Sequence, residues 1–122
     1  MLGLSIYPHH LKDGTHCTLD SFCEMIARLT DIMEVKNIGI GSDLCLNQPD
    51  NIVEWMRNGT WTKTKNLGEG SKNNQGFPKQ PTWFKDARGF KNIEIGLQKI
   101  GFNDSDINAI LGNNWFNFYK GI

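Results

Sequence analysis

The sequence lacks most of the features that place a chain in a special class. No apolar run approaches the roughly 18 residues needed to span a bilayer, so no membrane segment is expected. No charge of one sign dominates, with 13 acidic residues against 13 lysines and arginines. That balance removes the electrostatic case for nucleic acid or an anionic membrane surface as partner. The N-terminus, Met1-Leu2-Gly3-Leu4-Ser5-Ile6, has neither a basic n-region nor a cleavage site and does not read as a signal peptide. Cysteine is scarce. The three present show no metal spacing, and Cys17 and Cys23 stand six apart rather than in a Cys-x-x-Cys pair. Reduced, mostly buried thiols and a cytoplasmic location are the matching expectations. Internal repeats, heptads, His-x-Asp and Glu-x-x-His patterns are all absent.

What is present describes an ordinary globular chain. Its 122 residues, 39% of them hydrophobic, suit one domain or part of one. The organising stretch is Asn37-Ile38-Gly39-Ile40-Gly41-Ser42-Asp43-Leu44-Cys45. It reads as a short buried strand that stops on a carboxylate. Ile38 and Ile40 suit a strand, and the glycines allow other backbone or a ligand to come close. An amphipathic helix pattern precedes it, so the strand is expected in a parallel β/α sheet. In such sheets the active site forms at the carboxyl ends of the strands, where Asp43 falls. On pattern alone, an Asp after a strand serves equally well as the cap of the following turn.

The rest of the chain supplies the supporting elements. Leu2 to Tyr7 reads as a strand ended by Pro8, and Asp13-Gly14 marks a turn. Thr18 is placed to cap a helix, with Asp20 in its positive first turn. Phe22, Met25, Ile26, Leu29, Ile32 and Met33 follow at helical spacing as a core stripe. Asp50 is expected to open a short helix carrying Ile52, Val53 and Met56. Residues 58–81 form a long polar loop. Phe90, Ile93, Leu97 and Ile100 make a second helical stripe that Gly101 is placed to stop. Asn103 can cap a last helix, Asp106 reaching back as an imperfect capping box, with Ile107, Ile110, Leu111, Trp115 and Phe118 on its apolar face.

Four pieces of this sequence, in order, resemble the membrane (renal) dipeptidase family of zinc peptidases. Ile38-Gly39-Ile40-Gly41-Ser42-Asp43 looks like the family's last barrel strand, and Leu2-Gly3-Leu4-Ser5-Ile6-Tyr7 like the strand before it. Thr18-Leu19-Asp20-Ser21-Phe22 resembles the start of the helix between them. Gly101 to Ile107, followed by Ile110-Leu111-Gly112-Asn113-Asn114-Trp115, is similar to the closing helix with its Gly-x-Asn ending. The resemblance covers nearly the whole chain except 58–81. It implies the C-terminal βαβα portion of a TIM-type (β/α)8 metallo-dependent hydrolase barrel, spanning 1–122. Such a barrel typically needs about 250 residues, so the portion is incomplete and is expected to need N-terminal strands or an oligomeric partner.

The resemblance also implies a chemistry. In the family, two zinc ions activate a water that attacks a dipeptide's peptide bond. The family's aspartate in the position of Asp43 is associated with the substrate's free amino group and with proton handling. A carboxylate suits both tasks. The family follows this aspartate with Phe-Asp-Gly, whereas Leu44-Cys45-Leu46 follows here, which alters the adjoining loop. His9, His10 and His16 do not make a zinc set, because adjacent histidines rarely reach one ion and about three ligands must converge. His10, in the loop after the first strand, is expected to line the substrate site. The family's zinc ligands lie on earlier strands, so no metal ligand is assigned in this chain. Cys17 and Cys45 would be nucleophiles only with a paired base, and none is legible. The expected function is dipeptide hydrolysis by the completed barrel, this chain being inactive alone. The alternative is a non-catalytic α/β module that pairs with a partner chain.

Overall fold

Two short strands pair because each alternates a large aliphatic residue with glycine or serine. In the computed structural model, β1 (Leu2–Ser5) and β2 (Ile38–Gly41) run parallel. Leu2 stands opposite Ile38, Gly3 opposite Gly39, Leu4 opposite Ile40 and Ser5 opposite Gly41. Successive strand side chains point to opposite faces. That register puts Leu2, Leu4, Ile38 and Ile40 on one face, and Ser5 with the glycines on the other. The first face meets the helices. Leu4, Ile38 and Ile40 join Phe22, Ile26, Phe84, Ile93, Leu97, Ile107 and Ile110 in one buried cluster. β1 is shorter than the Leu2–Tyr7 strand expected, because Pro8 opens a 3-10 turn, Pro8–His10, with Tyr7 as its cap.

The described residues are 1–49, 51–52, 55 and 77–122. They fall into two compact units, Met1–Leu44 with Gln80–Ile122, and Cys45–Lys79. In the second unit Asn51, Ile52 and Trp55 are helical, where the short helix after Asp50 was expected. Val53, Met56 and most of the expected 58–81 loop lie outside the described residues.

The first unit holds both strands and four helices, α1 (Leu19–Thr30), α2 (Phe90–Lys99), α3 (Asp104–Asn108) and α4 (Asn114–Lys120). Thr18 caps α1 as its sequence predicts, its hydroxyl accepting the Ser21 N–H at 3.1 Å. Phe22, Cys23 and Ile26 are buried along it. Ile32 corrects the expected stripe: it is 78% exposed, because the helix ends at Thr30 and the next residues leave the helical period. α2 packs against α1 at Gly96, where an added Cβ would sit 2.6 Å from Cys23 Sγ. Gly101 ends α2 in the left-handed region, with φ of 96°. The Gly101 N–H reaches the Gln98 carbonyl and the Phe102 N–H reaches that of Leu97, each at 3.1 Å, which is a Schellman stop. Ile100 is the cap residue and partly exposed rather than core.

The last helix is broken rather than continuous. Between α3 and α4 lies a π turn, Ala109–Asn113, with Gly112 in a non-helical conformation. Asn103 caps α3 through the Asp106 N–H at 2.9 Å. The Asp106 carboxylate accepts from the Asn103 side-chain amide, not from the backbone N–H that a capping box would use. Ile107 and Ile110 are buried, while Phe118 is 44% exposed, because the break turns α4 relative to the expected stripe. The architecture is therefore α/β, a two-stranded parallel sheet with helices packed on it. No helix among the described residues is long and apolar enough to cross a membrane.

Candidate functional site

The parallel pairing brings the carboxyl ends of β1 and β2 to the same edge of the sheet. Ser5 is the last residue of β1, and Asp43 lies just beyond β2. Asp43 has φ of 50°, a left-handed conformation that short polar residues tolerate better than others. Its carboxylate turns back across the sheet end, where Oδ2 accepts a hydrogen bond from Ser5 Oγ at 3.0 Å. The turn bond after β2 belongs to its neighbour, since Ser42 Oγ accepts the Leu44 N–H at 3.4 Å.

His10 reaches the same hydroxyl from the other side. The Pro8–His10 turn folds the chain back over the end of β1 and sets His10 Nδ1 3.0 Å from Ser5 Oγ. The Tyr7 N–H also donates to Ser5 Oγ, at 3.1 Å. The Tyr7 ring stands edge-on to His10, with centroids 5.2 Å apart, and to His9 at 5.6 Å. Asp43 and His10 are exposed and Ser5 is half-buried, so the group faces solvent at the strand ends.

The C-terminal elements hold β2 in place beneath this edge. Asn114 is a buried polar residue, 6% exposed, and its amide donates to the carbonyls of Val35 at 2.7 Å and Ile38 at 2.8 Å. Trp115 Nε1 donates to the Ile40 carbonyl at 2.9 Å. Its indole lies over the glycine face, where a Cβ on Gly3 would meet ring carbon Cζ2 at 2.9 Å and one on Gly39 would meet Nε1 at 2.5 Å. Glycine is needed at both positions for the ring to lie flat on the strands.

The two residues singled out from sequence, Asp43 and His10, thus come together, each through Ser5. His9 meets the Tyr7 ring, and His16 belongs to a separate turn, Gly14–His16. Ser5 was not foreseen as a site residue. Its signal was its place at the end of β1 on the glycine-lined face, at the edge where Asp43 was expected. No group of three His, Cys, Asp or Glu residues among the described residues could hold a metal ion. Cys17 and Cys23 are buried and unbridged. Burial pushes the Cys23 thiol up to about 11 and raises that of Cys17 as well, so both stay protonated and poorly nucleophilic.

No family model matches the sequence, and no curated protein matches it. A solved structure does: the crystal structure of an amidohydrolase from Pseudomonas aeruginosa superposes with a TM-score of 0.73. The identity is 23%, over 93% of this chain and 33% of that one. The likeness is one of fold, and this chain spans about a third of that protein's length.

Proposed function

We propose that these 122 residues are the C-terminal portion of a TIM-type hydrolase barrel, and that the completed barrel is a metal-dependent dipeptidase. One observation carries the reading. A parallel β-pair brings Asp43 and His10 to one hydroxyl at its carboxyl edge, which is where (β/α)8 enzymes place their catalytic residues. The fold likeness to about a third of an amidohydrolase supports the idea of a portion rather than a whole. In this reading Asp43 pairs with the ammonium group of the dipeptide and handles a proton, and His10 lines the substrate pocket. The described donors do not fit a zinc centre, because Asp43 Oδ2 and His10 Nδ1 both engage Ser5 Oγ and no three possible ligands gather among the described residues. The zinc ions that the sequence resemblance implies would therefore be held by strands supplied from outside these residues.

The test is to complete the barrel with N-terminal strands, in one chain or as a separate one, and to assay dipeptide hydrolysis with added zinc. Losing a positioned general acid–base typically slows a reaction about 10²–10⁴-fold, and Asp43→Asn should fall in that range at matched zinc occupancy. His10→Ala should lose less. An Asp43→Asn enzyme with near-parental turnover would reduce the carboxylate to a structural role.

A second reading rests on the sheet itself. Among the described residues it has two strands, so each has an edge with no strand beside it. A non-catalytic module could pair with a partner chain through the edge of β1, the Ile38 and Ile40 carbonyls of β2 being already taken by Asn114 and Trp115. A completed barrel that binds zinc yet hydrolyses no dipeptide favours this second reading.

A further inference from the structure

Ile32 is 78% exposed, and it does not stand alone. With Leu11, Phe22, Met25 and Leu29 it lines a groove of about 260 Å³ along one flank of α1. Phe22, Met25, Leu29 and Ile32 follow one another at steps of three and four residues, the spacing of a single helical stripe. Leu11 and Phe22 are buried and form the floor, while Met25 and Leu29 are half-buried. Lys12, Glu24 and Arg28 stand exposed on the rim. An apolar centre inside a charged rim is the make-up of a protein interface. The volume falls below the roughly 300–1,000 Å³ of small-molecule sites, and suits a row of inserted side chains better.

The groove and the sheet are open on the same side. Cys23 faces α2, where a Cβ on Gly96 would meet its Sγ at 2.6 Å. Met25 is two residues from Cys23, about 200° around the helix. One flank of α1 is therefore covered by α2, and the groove runs along the other. Leu11 reaches the groove from the stretch that follows β1, which sets the open flank on the β1 side. On the other side, the β2 carbonyls of Ile38 and Ile40 are taken by Asn114 and Trp115. Beyond β1 no strand stands among the described residues. We infer that the β1 edge and the α1 groove together receive one strand–helix unit of the N-terminal barrel portion. The strand pairs parallel to β1, and an amphipathic helix lays its apolar face along Phe22, Met25, Leu29 and Ile32. The inference rests on the barrel portion in the proposed function. Crossovers between parallel strands are right-handed in about 98% of cases. A helix leading into β1 by such a crossover packs on the same face of the sheet as α1, beside it and away from β2. Each helix runs against its strand, so the two lie parallel, and apolar residues at steps of three and four interdigitate with the α1 stripe. A second copy of this chain fits less well, because a two-fold contact would bring groove to groove and leave no ridge to fill either.

The test mixes the 122-residue chain with a separate chain carrying the N-terminal strands and helices, and measures their affinity by calorimetric titration. Ile32→Asp sets a charge in the groove at a residue that is already exposed, so the chain's own melting curve should not move. Affinity should fall roughly tenfold to a hundredfold, the worth of one aliphatic side chain buried on binding. Ile32→Leu should keep the parental affinity. So should Asp20→Asn, on the flank where Asp20 pairs with Lys99 of α2. Met25→Asp is the second groove variant and should weaken binding in the same range. Affinity indifferent to both Ile32→Asp and Met25→Asp overturns the inference, as does a failure of the two chains to associate. A dimer of the 122-residue chain in sedimentation that Ile32→Asp dissociates makes a second copy the occupant, and overturns it too. The single-chain completed barrel decides the dipeptidase reading separately. Absence of hydrolysis there defeats that reading and leaves the groove result standing, whereas hydrolysis alongside indifferent groove variants defeats this inference alone.

Discussion

Gly39→Ala is the sharpest test of how β2 is held. The added Cβ would lie 2.5 Å from Trp115 Nε1, 2.9 Å from Trp115 Cδ1 and 2.8 Å from Met1 Cε. Met1 is exposed and flexible and can swing aside. The indole has less freedom. It is tied to the Ile40 carbonyl at 2.9 Å and stacked on Tyr119 with centroids 5.9 Å apart. Relieving the clash must push the ring off the strand and stretch that hydrogen bond. Overpacking of this kind costs about 1–3 kcal/mol, and a lost hydrogen bond about 0.5–1.5 kcal/mol. Removing glycine's extra chain entropy returns about 0.5–1 kcal/mol. The net loss should be about 1–3 kcal/mol, read by urea denaturation followed by circular dichroism with an unchanged slope. A double-mutant cycle isolates the cause. In a Trp115→Ala background the same Gly39→Ala change should be neutral or stabilising, because nothing rigid then occupies the space. Parental stability in Gly39→Ala, or an equal loss in both backgrounds, would refute the packing argument.

Other consequences can be checked on the same chain. Gly101→Ala should lose roughly 1–2 kcal/mol to backbone strain alone, since φ is 96° and the new methyl meets nothing within 4 Å; a more stable variant would contradict the Schellman stop. A thiol reagent at neutral pH should modify one cysteine, the exposed Cys45, at once, and Cys17 and Cys23 only on unfolding; two fast sites would contradict the core. The Cys23 thiol is raised from an ordinary 9.0 to about 11, first by burial and then by Asp20, so the folded state holds its proton more tightly than the unfolded chain does. Its contribution to stability is thus complete below pH 9 and is lost as the pH rises through about 11. Melting curves should show this alkaline loss in the parent and less of it in Cys23→Ala, and an identical loss in both would remove Cys23 as its source.

The elements that were legible from sequence are those whose signals are local. Thr18, Asn103 and Gly101 do what a cap and a stop do in isolation, because the groups they satisfy lie within a few residues of them. The alternation of Ile38 and Ile40 with glycine fixed both the strand and its faces. The failures are where tertiary contact decides. Ile32 continues a helical period that the backbone abandons after Thr30. The break at Gly112 splits one expected helix, and nothing in the spacing of Ile107, Ile110 and Trp115 announces it. The break lets Asn114 and Trp115 reach the carbonyls of Ile38 and Ile40, contacts separated by more than 70 residues in sequence.

The site divides in the same way, and the division explains why Ser5 was passed over. Asp43 is visible because it falls just beyond a legible strand, at the edge where parallel sheets place their sites, and that placement depends only on the strand before it. A serine at a strand end carries no such signal. Its significance comes from His10, five residues on, which the Pro8–His10 turn folds back, and Asp43, thirty-eight residues on, which the parallel register brings across, each 3.0 Å from its hydroxyl. Residue types alone would have put the histidine between serine and aspartate and read a nucleophile. The geometry puts the serine between the other two, with Asp43 Oδ2 and His10 Nδ1 each 3.0 Å from its hydroxyl.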